Sequence, residues 1–252
     1  MQISDSQRTG LGIEFQQVTS LIPLPRFYLM VALDSLWLRP RYLSLMTSQP
    51  AYHLHSKAYG GELSIDAATS WQGMNGTADL EVKDLQLNAH KQIEGLGVHS
   101  GALSIKASEI LWGPQRLESV KFAEVNIKSL SIPEGIVIPK GTFGLLIELK
   151  VPALTNANAS AVIDFKQPQL SVSDISFKSN WGQLSGSVKL EMNSRNQLVA
   201  TFIALDVELD PETKDYFGPI FQVNGGGKIT PETTKVKIRK DGLNARLQFL
   251  PG

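Results

Sequence analysis

The feature that most constrains how this chain can fold is an alternation of apolar and polar residues with a period of two. Ala78, Leu80 and Val82 alternate with Asp79, Glu81 and Lys83, and Val188, Leu190 and Met192 alternate with Ser187, Lys189 and Glu191. Successive side chains of a strand point to opposite faces, so such a run buries one face and wets the other. The pattern recurs in Phe143, Leu145, Ile147, Leu149 and Val151, in Val236 and Ile238, in Ala245, Leu247 and Phe249, and along Val199 to Leu209. Where the phase slips, as Val82 gives way to Leu85 and Leu87, and Phe122 to Val125 and Ile127, a bulge or bend is expected. One residue out of step moves a side chain to the other face.

Turn residues separate these runs. Asn75-Gly76 predicts a two-residue hairpin turn between Trp71 and Leu80. The run Leu24 to Met30 is apolar at both phases and reads as a central strand covered on both faces. Only two segments read as helical, both short. One is Arg39 to Thr47, with Pro40 suited to a first turn; the other is Asp210 to Phe217, with Asp210 as the N-cap before a proline.

Glycines mark an internal repeat. Gly-x-Leu-Ser occurs at Gly61, Gly101 and Gly182, with weaker copies at Gly141 and Gly226, in steps of 40, 40, 41 and 44 residues. A fixed period of this size indicates repeated supersecondary units. Each glycine is expected at the start of a strand, with Leu or Phe entering the apolar face two residues later. Trp71, Trp112 and Trp181 keep no fixed place relative to the glycines. That disfavours propeller blades and favours an open, curved antiparallel sheet.

Composition narrows the function classes. The chain has 252 residues, 24 basic against 24 acidic, and no cysteine. The absence of thiols removes disulfides, thiol catalysis and thiolate metal sites. Balanced charge argues against a nucleic-acid partner. His53 and His55 would share a strand face but lack a third ligand. Asp206, Glu208 and Asp210 read as a solvated strand face. Gly225 to Lys228 lacks phosphate-loop spacing, and no Gly-x-Ser-x-Gly elbow occurs. No catalytic residue, metal site or cofactor is therefore expected, and the chain reads as a non-enzymatic protein. Residues 1–20 lack the apolar core of a signal peptide, and Leu21 to Leu38 carries Pro23, Pro25, Arg26 and Asp34, a poor membrane span.

Three stretches carry a family resemblance: Leu33-Asp34-Ser35-Leu36-Trp37-Leu38-Arg39-Pro40, Tyr42-Leu43-Ser44-Leu45, and Ala58-Tyr59-Gly60-Gly61-Glu62-Leu63-Ser64. With Trp181-Gly182-Gln183-Leu184-Ser185-Gly186 and Val223 to Ile229, they resemble the type II secretion system protein N (GspN) family, which belongs with the AsmA-like proteins. The resemblance spans most of residues 10–250. It implies a long, twisted antiparallel sheet folded into a half-pipe, as a single domain over 1–252. It also implies residence in the bacterial periplasm, attached to the inner membrane by an N-terminal anchor not seen in this sequence. The function it implies is an accessory place in a type II secretion apparatus, with other inner-membrane or periplasmic components as partners. The alternative is an AsmA-like groove that binds or transfers lipid.

The expected fold is thus all-β: a long twisted, curved antiparallel sheet with one or two short helices. Its candidate site is an apolar groove lined by Phe143, Leu145, Ile147, Leu149, Val188, Leu190 and Met192, with Leu247 and Phe249 in the C-terminal section. With so few helices, one apolar face must close on itself or take a ligand such as lipid or a partner segment.

Overall fold

A computed structural model describes residues 5–9, 12–24, 27–95, 97–114, 116–135, 137–138, 149–193, 197–225, 229–230 and 232–252. The fold is all-β and antiparallel. The chain divides into two compact units, Met1–Leu96 with Ala102–Ala123, and Gly97–Gly101 with Glu124–Gly252.

In the first unit the strands pair in chain order: β1 (Asp5–Thr9), β2 (Gly12–Leu24), β3 (Phe27–Pro40), β4 (Ala51–Ala58), β5 (Gly61–Thr69), β6 (Gly76–Gln86) and β7 (Ser100–Gly113). A 3-10 turn, Tyr42–Met46, joins β3 to β4. A second, Leu87–Ala89, and the four-residue helix α1 (Lys91–Glu94) lead from β6 towards β7. The division between the units falls within β8 (Arg116–Ile132). In the second unit, β9 (Val137–Ile138) and β10 (Leu149–Lys150) form a separate two-residue pair. There β11 (Leu154–Lys166), β12 (Gln169–Ser179), β13 (Gly182–Met192), β14 (Leu198–Leu209), β15 (Lys235–Asp241) and β16 (Gln248–Pro251) also pair in chain order. Helix α2 (Lys214–Gly225) lies between β14 and β15 in sequence.

Register carries the alternation from strand to strand. In the first unit Ile13, Leu38, Leu54, Ile65, Leu80 and Ala107 stand opposite one another in turn. In the second, Ile163, Val172, Val188 and Ile203 do the same. Each apolar residue therefore has an apolar cross-strand neighbour on its own face, the pairing unit that stabilises a sheet.

The register steps where the sequence slips phase. Between Val82 and Leu85, β6 carries one residue more than β7, and Asp84 takes φ 50°. A compensating extra residue sits in β7, where Glu109 also takes φ 50°, and Asp174 bulges from β12 against both its neighbours. A non-glycine residue in this left-handed region is costly, and side chains from the next strand offset the cost. Ser104 Oγ accepts the Asp84 N–H at 3.1 Å, and Asp79 Oδ1 accepts the Glu109 N–H at 3.0 Å. Ser129 and Asn156, at φ 53° and 50°, donate their N–H groups to Asn158 Oδ1 and Ser131 Oγ.

Three expectations are corrected. The β5–β6 connection is the six-residue loop 70–75, closed by the Ser70 N–H on the Asn75 carbonyl, not a two-residue Asn75-Gly76 turn. Gly76 instead opens β6, where the Ala68 carbonyl and the Trp112 ring leave no room for a side chain. The run Leu24 to Met30 is two strand ends, because Leu24 pairs with Phe27 across a hairpin; a proline there favours a turn over a continuous ladder. Helix α2 runs on from the expected 211–217 segment to Gly225. Asp210 does cap its start, accepting the Glu212 N–H on Oδ1 at 3.0 Å and the Thr213 and Lys214 N–H groups on its carbonyl.

The repeat glycines meet the expectation for strand starts: Gly61 opens β5, Gly101 is the second residue of β7 and Gly182 opens β13. Gly141 and Gly226 lie outside the described residues. A methyl group on Gly182, at φ 122°, would collide with the Glu208 carbonyl of β14. Gly182→Ala is therefore expected to cost about 2–3 kcal/mol in urea unfolding. Gly73→Ala, at φ 68° with nothing within 4 Å, should cost about 1 kcal/mol, from backbone strain alone.

Candidate functional site

The candidate groove residues do not all come together. Phe143, Leu145 and Ile147 lie outside the described residues, and Leu149 lies in β10 opposite Ile138. Val188, Leu190 and Met192 share one face of β13. Val188 stands between Val172 and Ile203, Leu190 between Leu170 and Ala200, and Met192 opposite Leu198. All three are half-buried. Phe249 pairs with Ile238, and Ile238 with Leu205, so it joins the same face. Leu247 precedes β16 and is exposed.

Helix α2 covers part of this face, which the sequence reading missed. Phe221 packs on Phe249 with ring centroids 6.0 Å apart, and Phe217 packs on Trp181 at 5.2 Å. The C-terminal section of the candidate groove is therefore partly occupied by the chain's own helix. The signal was present: Phe217, Ile220 and Phe221 have helical spacing. Gly218-Pro219 masked it, because both residues read as helix stops.

The first unit also holds an apolar face, and none of its residues is among the candidate groove residues. Beside the row from Ile13 to Ala107 runs a second, Phe15, Leu36, Ser56, Leu63, Val82 and Ile105. Val82, Ala107 and Ser56 are buried; Leu36, Leu38, Leu54, Leu63, Ile65, Leu80 and Ile105 are only half-buried. Ser56 is accommodated because its hydroxyl donates to the Ser35 carbonyl at 2.6 Å.

The opposite face is polar and organised by charge. On the first unit Arg41 Nη2 lies 2.5 Å and His53 Nδ1 3.1 Å from Asp66 Oδ1. Asp79 sits directly opposite Asp66, with its Oδ1 on the Glu109 N–H, and Glu109 pairs with Lys121 at 2.7 Å. On the second unit Arg239 pairs with Asp206 and Lys235 with Glu208, so the acidic row of β14 is met by the basic row of β15. Between them lies an open cavity of about 510 Å³, lined in part by Lys178, Gln183, Asp206, Glu208, Lys235 and Lys237. Its charges are mixed, and Lys235 and Glu208 pair within it. His53 is thus engaged by Asp66, while His55 stands opposite Trp37 and Ser64.

Partial burial opposes ionisation of Asp66, but hydrogen bonds from His53 and Arg41, and the Arg41 charge, outweigh it and hold the carboxyl below its ordinary range. Lys235 and Gln183 do the same for Glu208. Both side chains stay ionised at neutral pH, whereas a general acid needs a raised pKa.

Comparison with protein-family models, curated proteins and solved structures finds no match to this chain. Among the described residues, no helix is long and apolar enough to cross a membrane.

The Asp66 cluster has a signed pH dependence. A carboxyl with a depressed folded-state pKa stabilises above its unfolded value, about 3.9, and that contribution is lost as pH falls through the lower folded value. Asp66→Asn should therefore lower stability at pH 7 by no more than about 1 kcal/mol, since the cluster is solvent-screened. The gap between the two proteins should close in melts recorded below about pH 3.

Proposed function

We propose that this chain is a non-enzymatic component of the bacterial cell envelope that holds acyl chains or comparable apolar segments on the apolar face of its sheet. The observation that carries this reading is the half-buried state of the apolar rows, Leu54, Ile65 and Leu80 in the first unit and Val172, Val188 and Ile203 in the second. Each large apolar side chain left uncovered forgoes part of the roughly 1.5–3 kcal/mol that full burial provides. Contiguous apolar surface of this kind marks ligand or partner sites. The paired charges of the other face and the lowered pKa of Asp66 and Glu208 support a structural role for the polar groups.

The resemblance to the GspN family supplies the setting of this reading: the periplasm beside the inner membrane, as an accessory of a type II secretion apparatus. On that reading its partners are other envelope components of the machine, and the apolar face is where lipid or a partner segment is held.

Ile65→Asp tests the apolar face. The variant should remain folded by circular dichroism and bind a fluorescent fatty acid at least about tenfold more weakly than wild type, the equivalent of about 1.4 kcal/mol. Solvent extracts of the wild-type protein should contain copurified lipid by mass spectrometry. An unfolded Ile65→Asp would show that this face is a closed core, and a folded variant with unchanged binding would place the ligand elsewhere.

A further inference from the structure

The most exposed large apolar side chains of the first unit gather at one end of its sheet. Antiparallel pairing brings the β3–β4 and β5–β6 connections to the same edge, and these carry Tyr42, Leu43 and Met46 on one and Trp71 and Met74 on the other. Leu43 is 87 % exposed and Met46 89 %, and Trp71, Met74 and Tyr42 are each at least half exposed. None of the residues of the 3-10 turn is buried. The turn therefore adds no fully buried side chain to a core, although four of its five side chains are large and largely apolar.

Several donors of this tip are satisfied within it. Trp71 Nε1–H donates to the Thr47 carbonyl at 2.9 Å, which ties one connection to the other. Ser44 Oγ donates to the Arg41 carbonyl at 2.6 Å and Thr47 Oγ1 to the Ser44 carbonyl at 2.7 Å. The Gly73 N–H reaches the Ser70 carbonyl at 2.7 Å. A surface built for water would leave these donors outward. A segment entering an apolar medium must satisfy them internally. Exposed Arg39 flanks the tip, Arg41 beside it is shared with Asp66, and no acidic residue occurs from Arg39 to Pro50 or from Ser70 to Asn75.

We infer that this tip docks on a bilayer surface carrying anionic headgroups. Leu43 and Met46 enter the acyl boundary, and Trp71 and Tyr42 sit at headgroup level, where amphipathic rings are favoured. Arg39 meets the lipid phosphates. A bilayer, unlike a protein partner, needs no matching concavity to receive a protruding tip. The inference does not rest on acyl-chain binding along the sheet, because the five residues lie on connections and not in the apolar rows.

The test is flotation of the intact protein with phosphatidylcholine/phosphatidylglycerol vesicles. Wild type should float, and the Leu43→Asp/Met46→Asp double variant should partition at least about tenfold less. Leu243→Asp, at an exposed leucine of the second unit, should float as wild type, and so should Ile65→Asp. That last arm separates failure of the tip from failure of the sheet face. An independent readout uses vesicles with brominated acyl chains, which should quench tryptophan emission in wild type and much less in Trp71→Phe. The inference is overturned if wild type stays unbound, if the double variant floats equally well, or if quenching survives Trp71→Phe unchanged. It is also overturned if wild type without vesicles sediments as a dimer that the double variant disperses, since a second copy would then cover the tip.

Discussion

The antiparallel ladder between sequence neighbours is the interaction on which the rest of this protein depends. From β1 to β7 and from β11 to β16 each strand pairs with the one that follows it, so backbone donors and acceptors are satisfied locally. A ladder of this kind organises two faces but covers neither. What covers them must come from helices, from further layers or from outside. In the second unit α2 meets part of that need, through Phe221 on Phe249 and Phe217 on Trp181. In the first unit the described helical pieces are short: a five-residue and a three-residue 3-10 turn, and the four-residue α1.

Bulges are the second device that shapes the sheet. An extra residue increases local twist and bends a strand. Each of the bulges at Asp84 and Glu109 has a polar side chain from the adjacent strand holding its N–H. Pairing these insertions across β6 and β7 restores the register, so Leu80 and Val82 on one side of Asp84 and Leu85 on the other stay opposite apolar partners. The bulges change the direction of the backbone without interrupting the apolar rows.

The two faces divide the work. The polar face spends its charges on itself, through Arg41, His53 and Asp66 in one unit and Asp206, Arg239, Glu208 and Lys235 in the other. Paired charges of this kind add little stability, but they keep one face wet and so define the other as the apolar one. The proposed function and the inferred docking draw on two parts of this arrangement: an apolar sheet face, and an exposed apolar tip.

Much of this was legible in the sequence because a strand's side-chain period is a local property. Alternation along Val188 to Met192 and Ala78 to Val82 sufficed to assign strands and faces, and the phase slip after Val82 marked the Asp84 bulge. Gly61, Gly101 and Gly182 marked strand starts, and at Gly61 and Gly182 a neighbouring strand excludes a side chain. Pairing in space was not local, and the sequence could not supply it. It took the register to show that Leu54, Ile65 and Leu80 form one row, that Asp66 is shared by Arg41 and His53, and that Phe249 lies under Phe221 rather than open to a ligand. The tip was equally hidden. Leu43, Met46, Trp71 and Met74 are some thirty residues apart at the extremes, and only the return of alternate hairpins to the same edge brings them together.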